Sequence, residues 1–123
     1  MVKTVRRGDC WWAELGPTLG HEQAGLRPVL VVSVERVNRR GMFLGVPLTT
    51  KGTLQFPLAV DLGLLGDKQA FALPAQLRAL SVLRLRRCLE QGRQADVERC
   101  LEAFLQICGR APAPLAANDG GTP

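Results

Sequence analysis

A mainly β fold with one C-terminal helix, α+β by content and built as a small curved sheet or half-open barrel, is what this chain predicts. Three observations lead there. Short apolar runs recur between Gly, Pro and Asn punctuation up to about residue 90. After Gly92 the apolar period changes from strand-like to helical. The chain has 123 residues, 46% of them hydrophobic, which is enough for one core and too little for two.

The first run, DCWWAEL at residues 9–15, carries two tryptophans between a Gly-Asp and a Gly-Pro and reads as a strand bounded by turns. Neighbouring strand residues face opposite ways, so Trp11 and Trp12 cannot both point into the core. Residues 16–26, GPTLGHEQAGL, hold three glycines and a proline and form a mobile loop. PVLVVSV, residues 28–34, is apolar on both faces, as a strand covered on both sides should be. VNRRG is a turn, and MFLGVPLTT, residues 42–50, is a second apolar strand ending in two threonines. A turn at KGT precedes FPLAVDL, residues 64–67 turn again, and QAFALPAQLRAL, residues 69–80, is a longer strand whose proline implies a bulge or an edge. The last strand lies near residues 85–89.

Val97, Cys100, Leu101, Phe104, Leu105 and Cys108 then share one helical face, with Glu98, Arg99, Glu102 and Gln106 opposite. Gly109 stops this helix, which lies across the sheet to bury its apolar face. The Pro-, Ala- and Gly-rich segment 110–123 reads as a disordered tail, leaving residues 1–109 as the domain.

Charge narrows the class of partner. The formal net charge is +5, and 13 of the 16 basic residues are arginine. Residues 1–88 hold 13 basic and 6 acidic residues, against 3 and 5 in residues 89–123, so the cationic surface belongs to the β region. Guanidinium groups match phosphate oxygens in a two-pronged geometry, which points to a polyanion. The four cysteines form no C-x-x-C pair, and with the single His21 they offer no metal-ligand spacing, so all four read as buried free thiols. No apolar stretch reaches the roughly 18 residues of a membrane span, and the N-terminus lacks a secretory apolar core; a cytoplasmic protein is expected.

The run RRGDCWWAELGPTLGHEQAGLRPVLVVS resembles the N-terminal block of the MazF/PemK toxin family, in which a Gly-Asp strand, a Pro-containing loop, an E-Q-x-G-x-R-P turn and an apolar strand follow one another. VPLTTKGTLQFPLAV and AQLRAL are similar to the second and third blocks, and VERCLEAFLQI fits the terminal helix. The resemblance covers about residues 6–108. It implies an SH3-like barrel (MazF/CcdB-like), usually a homodimer, that acts without metal or other cofactor as a sequence-specific endoribonuclease on single-stranded RNA. It also implies neutralisation by an acidic, MazE-like antitoxin lying in the RNA groove.

By the same resemblance the catalytic pair maps onto Arg27 and Thr49, with Thr50 as rival or substrate contact, because on a strand only one of two adjacent threonines meets the site. Glu22, Gln23, Lys51, Gln76 and Arg78 are expected to bind substrate or to orient Arg27. His21 stands where relatives carry a small polar residue and has the intrinsic pKa for acid–base work, although a loop histidine is usually only solvated. Arg84, Arg86 and Arg87 either extend a phosphate track or form a solvated strand edge. Of the tryptophans, one is core, and the other stacks a base or sits at the dimer seam, the seam being preferred.

Elementary chemistry agrees with that assignment. RNA brings its own nucleophile, the 2′-hydroxyl, so the protein has mainly to stabilise charge on the phosphorane oxygens and hold the attack in line. A permanently charged guanidinium where an adaptable loop enters a rigid strand suits the first task, and a threonine hydroxyl can donate to the same phosphate. Two other functions fit the fold: a CcdB-type gyrase poison and a catalytically inactive RNA-binding module.

Overall fold

The computed structural model describes residues 3–17, 19–112 and 114. Its elements in chain order are β1 (Cys10–Glu14), β2 (Leu26–Val31), a one-turn helix α1 (Glu35–Asn38), β3 (Met42–Thr49), β4 (Val60–Leu65), β5 (Lys68–Ala72), β6 (Arg78–Ser81), β7 (Leu85–Glu90) and helix α2 (Gln94–Ile107). Among the described residues no helix is long and apolar enough to cross a membrane.

All pairings are antiparallel, in the order β4-β5-β3-β2-β1-β7, with β6 also on β3. Strand β3 creates the curvature. Its first half pairs with β6, from Met42↔Ser81 to Gly45↔Arg78, while its last two residues pair with β5 through Leu48↔Ala72 and Thr49↔Phe71. The handover falls at Gly45–Pro47. A Cβ on Gly45 would come within 2.8 Å of the Phe43 ring, and Pro47 has no N–H to give a ladder, while its carbonyl accepts from Leu73 N–H at 3.0 Å.

The bent sheet buries residues on both sides, which accounts for the unbroken apolar run before residue 34. Leu30, Val46, Leu48, Val60 and Ala72 pack with Val97, Cys100 and Ala103 of α2 on the inner side. Val29 and Val31 turn the other way, toward Trp11, Ala13, Phe43, Leu80 and Leu85. Helix α2 therefore lies on the inner face, as its periodicity predicts. Its end has the expected glycine stop: Gly109 (φ 104°) donates to Gln106 O at 3.0 Å and Arg110 N–H reaches Leu105 O at 2.9 Å, the paired bonds of a Schellman cap.

Four local readings need correction. The strand expected across residues 69–80 is two strands, because Pro74 opens a 3-10 turn (Pro74–Gln76) between β5 and β6. FPLAVDL starts with a turn: Leu58 and Ala59 donate to Gln55 O, and pairing begins only at Val60. The turn at VNRRG contains most of α1, whose Asn38 is buried; it takes the Ser33 hydroxyl at 2.5 Å and donates to Val5 O at 2.9 Å. Buried amides are retained where every partner is satisfied, and this one ties the N-terminal segment to the β2–β3 connection. The fourth concerns the thiols: Cys10 and Cys100 are buried, Cys88 is half-buried and Cys108 is exposed, because Cys108 lies past the last turn that packs on the sheet. The tail expected over residues 110–123 lies, apart from residues 110–112 and 114, outside the described residues.

Burial pushes the Cys10 thiol up to about 12, with Arg93 opposing, and burial likewise raises Cys100 to about 12. At pH 8 a thiol at 12 is ionised in about one molecule in 10⁴. Iodoacetamide at pH 8 is accordingly expected to modify Cys108 in the folded protein and to reach Cys10 and Cys100 only when the chain unfolds. Peptide mass mapping with and without urea checks this, and rapid labelling of Cys10 in the native state would contradict it.

Candidate active site

At the open end of the inner core lies a cavity of about 440 Å³. Leu48, Leu65, Ala70 and Leu89 give it an apolar lining, and Trp12, Arg27, Thr49, Thr50, Lys68 and Gln69 supply aromatic and polar groups. Register brings the two chemically important strands together here. Val29 faces Pro47 across the β2–β3 ladder, and two residues further along each strand stand Arg27 and Thr49.

Arg27 is exposed, and its Nε donates to Ala24 O at 3.1 Å, which anchors the start of the guanidinium to the incoming loop. Among the described residues no carboxylate forms an ion pair with it. Thr49 is half-buried, and its hydroxyl oxygen accepts from Lys51 N–H at 3.2 Å, so the hydroxyl proton is left to donate. Strand β3 ends at Thr49, the alternation stops there, and Thr50 lines the cavity too. Lys51 follows as an exposed residue that does not line it.

Gln76, Gln23, Glu22 and Arg78 do not line this cavity; they shape the loop that leads into it. Gln76 accepts from Gln23 N–H at 2.8 Å through Oε1 and donates to His21 O at 3.3 Å through Nε2. Glu22 accepts from Leu19 N–H at 3.0 Å, and Arg78 donates to Leu15 O at 3.2 Å. The bonds Leu15 N–H to Gly25 O and Gly25 N–H to Gly16 O close the loop's base at 2.8 and 3.1 Å. The described part of residues 16–26 is thus fastened to the β5–β6 connection. Gln76→Ala is expected to abolish the exchange protection of the Gln23 amide without unfolding the domain, which amide hydrogen exchange measures directly. A Gln23 amide as protected as in the wild type would show that the bond does not hold the loop.

A family model for the PemK-like, MazF-like toxins of type II toxin–antitoxin systems matches residues 6–108. The chain belongs to this family. It is 33% identical over 111 residues to Endoribonuclease MazF9 of Mycobacterium tuberculosis, covering 81% of this chain and 92% of that protein. It is 29% identical over 111 residues to Endoribonuclease MazF of Staphylococcus epidermidis, covering 84% and 92%. With Endoribonuclease PemK of Escherichia coli the identity is 40% over 62 residues, spanning 46% of this chain and 47% of that protein. Among solved structures, MazF of Deinococcus radiodurans superposes with a TM-score of 0.77 at 25% identity, over 89% of this chain and all of that one. A mycobacterial endoribonuclease crystallised with its cognate antitoxin superposes at 0.65 and 23% identity, over 92% and 100%, which speaks to the fold.

Within this MazF-like fold the sequence reading overlooked one wall of the cavity. Lys68 and Gln69 reach it from the β4–β5 hairpin, where Gly66 (φ 67°) opens a two-residue turn and Leu65 pairs with Lys68. The GDK signal marks a turn but gives no sign of which strand ends it will face. Gln69 is itself oriented, with Nε2 donating to Asp61 Oδ1 at 2.5 Å. Of the two tryptophans, Trp11 is the core residue and Trp12 lines the cavity. Arg84 donates to Glu14 O at 3.0 Å and Arg86 to Leu83 O at 3.2 Å, and both side chains are exposed.

Proposed function

We propose that this chain is a sequence-specific endoribonuclease toxin that cleaves single-stranded RNA without a metal ion. The observation that supports it is the pairing of Arg27, a cation with no carboxylate partner among the described residues, with the Thr49 hydroxyl at the mouth of one cavity. In the reaction the 2′-oxygen attacks the adjacent phosphorus as its proton leaves. The P–O5′ bond breaks, the 5′-oxygen takes up a proton, and the products are a 2′,3′-cyclic phosphate and a 5′-hydroxyl. Arg27 stabilises the negative charge on the non-bridging oxygens, and Thr49 or Thr50 donates a further hydrogen bond. The guanidinium stays protonated throughout because its pKa lies far above neutrality. Proton transfer therefore falls to solvent or to another group.

The chain works in the cytoplasm as a homodimer, and an acidic antitoxin segment competes with RNA for the cationic face. The charge contrast between residues 1–88 and residues 89–123 supports such an anionic competitor. The decisive experiment incubates the purified protein with a long defined RNA in excess EDTA and maps both new ends. Discrete cuts with cyclic phosphate and 5′-hydroxyl termini are expected. Cleavage that stops in EDTA, or 5′-phosphate ends, would exclude this chemistry; RNA bound intact or gyrase inhibited would move the function to a binding role.

A further inference from the structure

The cavity beside Arg27 contains one group that phosphate chemistry leaves unused. We infer that Trp12 is the stacking platform for one nucleobase of the bound strand and so positions the RNA for cleavage, an inference that rests on the nuclease reading above.

Three features lead there. The first is register. Trp12 pairs with Pro28 on one side and with Arg87 on the other, which makes a row across β2, β1 and β7, and Pro28 directly follows Arg27. Trp12 and Arg27 both line the one cavity, so a base stacked on this indole would lie beside a phosphate bound at that guanidinium.

The second is the contrast between neighbouring tryptophans. Trp11 is 8% exposed, and its indole N–H reaches the buried Asp9 carboxylate at 3.2 Å. Trp12 is half-buried, and among the described residues no acceptor takes its N–H. A fully buried tryptophan normally has that donor satisfied by the protein, as Trp11 does. Trp12 instead keeps it open beside a cavity.

The third is the lining. Leu48, Leu65, Ala70 and Leu89 form an apolar wall in a cavity of about 440 Å³ that also holds the cation and the two threonines. A phosphate alone has no use for apolar wall. A nucleotide, with a flat π-face attached to an anion, needs both.

The test uses the emission of the intact protein. It contains only two tryptophans, and Trp11 is shielded in the core. The probes are short 2′-O-methyl homopolymers of each of the four bases, uncleavable because the nucleophile is blocked, together with an abasic 2′-O-methyl strand. At least one base-bearing strand is expected to quench the emission, and the abasic strand is not. Trp12→Leu should weaken binding of the quenching strand by about 5- to 150-fold. Trp12→Phe should recover most of that loss, and the abasic strand should bind wild type and Trp12→Leu alike.

Equal affinity of wild type and Trp12→Leu for the base-bearing strand would overturn the inference. So would conversion of a dimer to a monomer by Trp12→Leu, seen by light scattering, since that would give the indole to a second copy of the chain. If the wild type cleaves unmodified RNA but Trp12 proves silent, stacking is wrong and the nuclease stands. Base-dependent quenching without cleavage would keep the stacking site and reject the nuclease.

Discussion

Arg27→Ala is expected to lower the rate of RNA cleavage by about 10³- to 10⁵-fold while weakening binding far less. Removing a single preorganised donor from a developing oxyanion costs about 10²- to 10³-fold, and an arginine that meets transferring phosphoryl charge accounts for about 10³- to 10⁵-fold. The variant should fold normally, because the side chain is exposed and gives up one bond, to Ala24 O. Arg27→Lys should fall between, since it keeps the charge and loses the two-pronged geometry. Single-turnover cleavage with enzyme in excess separates chemistry from binding. Wild-type rates in Arg27→Ala would remove this residue from the mechanism. Comparing Thr49→Ala with Thr50→Ala in the same assay decides which hydroxyl serves the phosphate.

Arg93→Ala is expected to destabilise the domain by about 2 to 3 kcal/mol, the result of removing the centre of a half-buried network of charge-assisted hydrogen bonds. The Arg93 side chain is 13% exposed. It binds Glu90 Oε2 at 2.8 Å and Asp96 Oδ2 at 3.1 Å, and it donates to Leu62 O at 2.7 Å and to Leu64 O. These bonds, that to Glu90 foremost, hold its pKa above the ordinary arginine value. Strands β4 and β7 are the two ends of the main sheet path, and one guanidinium spans from the end of β7 to the carbonyls of β4 while holding the first turn of α2. Lysine in its place would supply one point of contact where the fork supplies several. A melting temperature lower by roughly 8 to 15 °C is expected for a domain of this size. A urea midpoint equal to the wild type would show that the network contributes nothing net.

Much of the fold is legible in the chain because its signals are local. The two-sided apolar run at residues 28–32, the helical period after residue 94 and the glycine stop at Gly109 each report on a few neighbours. Pro74 in an apolar run implies a bulge or an edge, yet the residues around it settle into a 3-10 turn, since a proline that cannot donate finds an easier place there than in a ladder. The cavity was less legible. Arg27 and Thr49 come from sequence blocks, but the choice between Trp11 and Trp12 depends on which face of β1 each occupies once β2 and β7 are paired. Gln76 illustrates the limit best. It meets Gln23 across 53 residues of chain, and no pattern near either residue announces that contact.

The outer side of β4 carries a consequence of its own. Arg93 occupies the carbonyls of Leu62 and Leu64, and Arg99 donates to Asp61 O at 2.7 Å, so consecutive acceptors along that margin are filled by α2 side chains. A strand from another molecule finds no row of acceptors there to zip onto, and runaway sheet growth is blocked at that end. Both arginines arrive late in the chain. Until α2 docks, the margin is open, and the interval before docking is when this protein is most prone to aggregate.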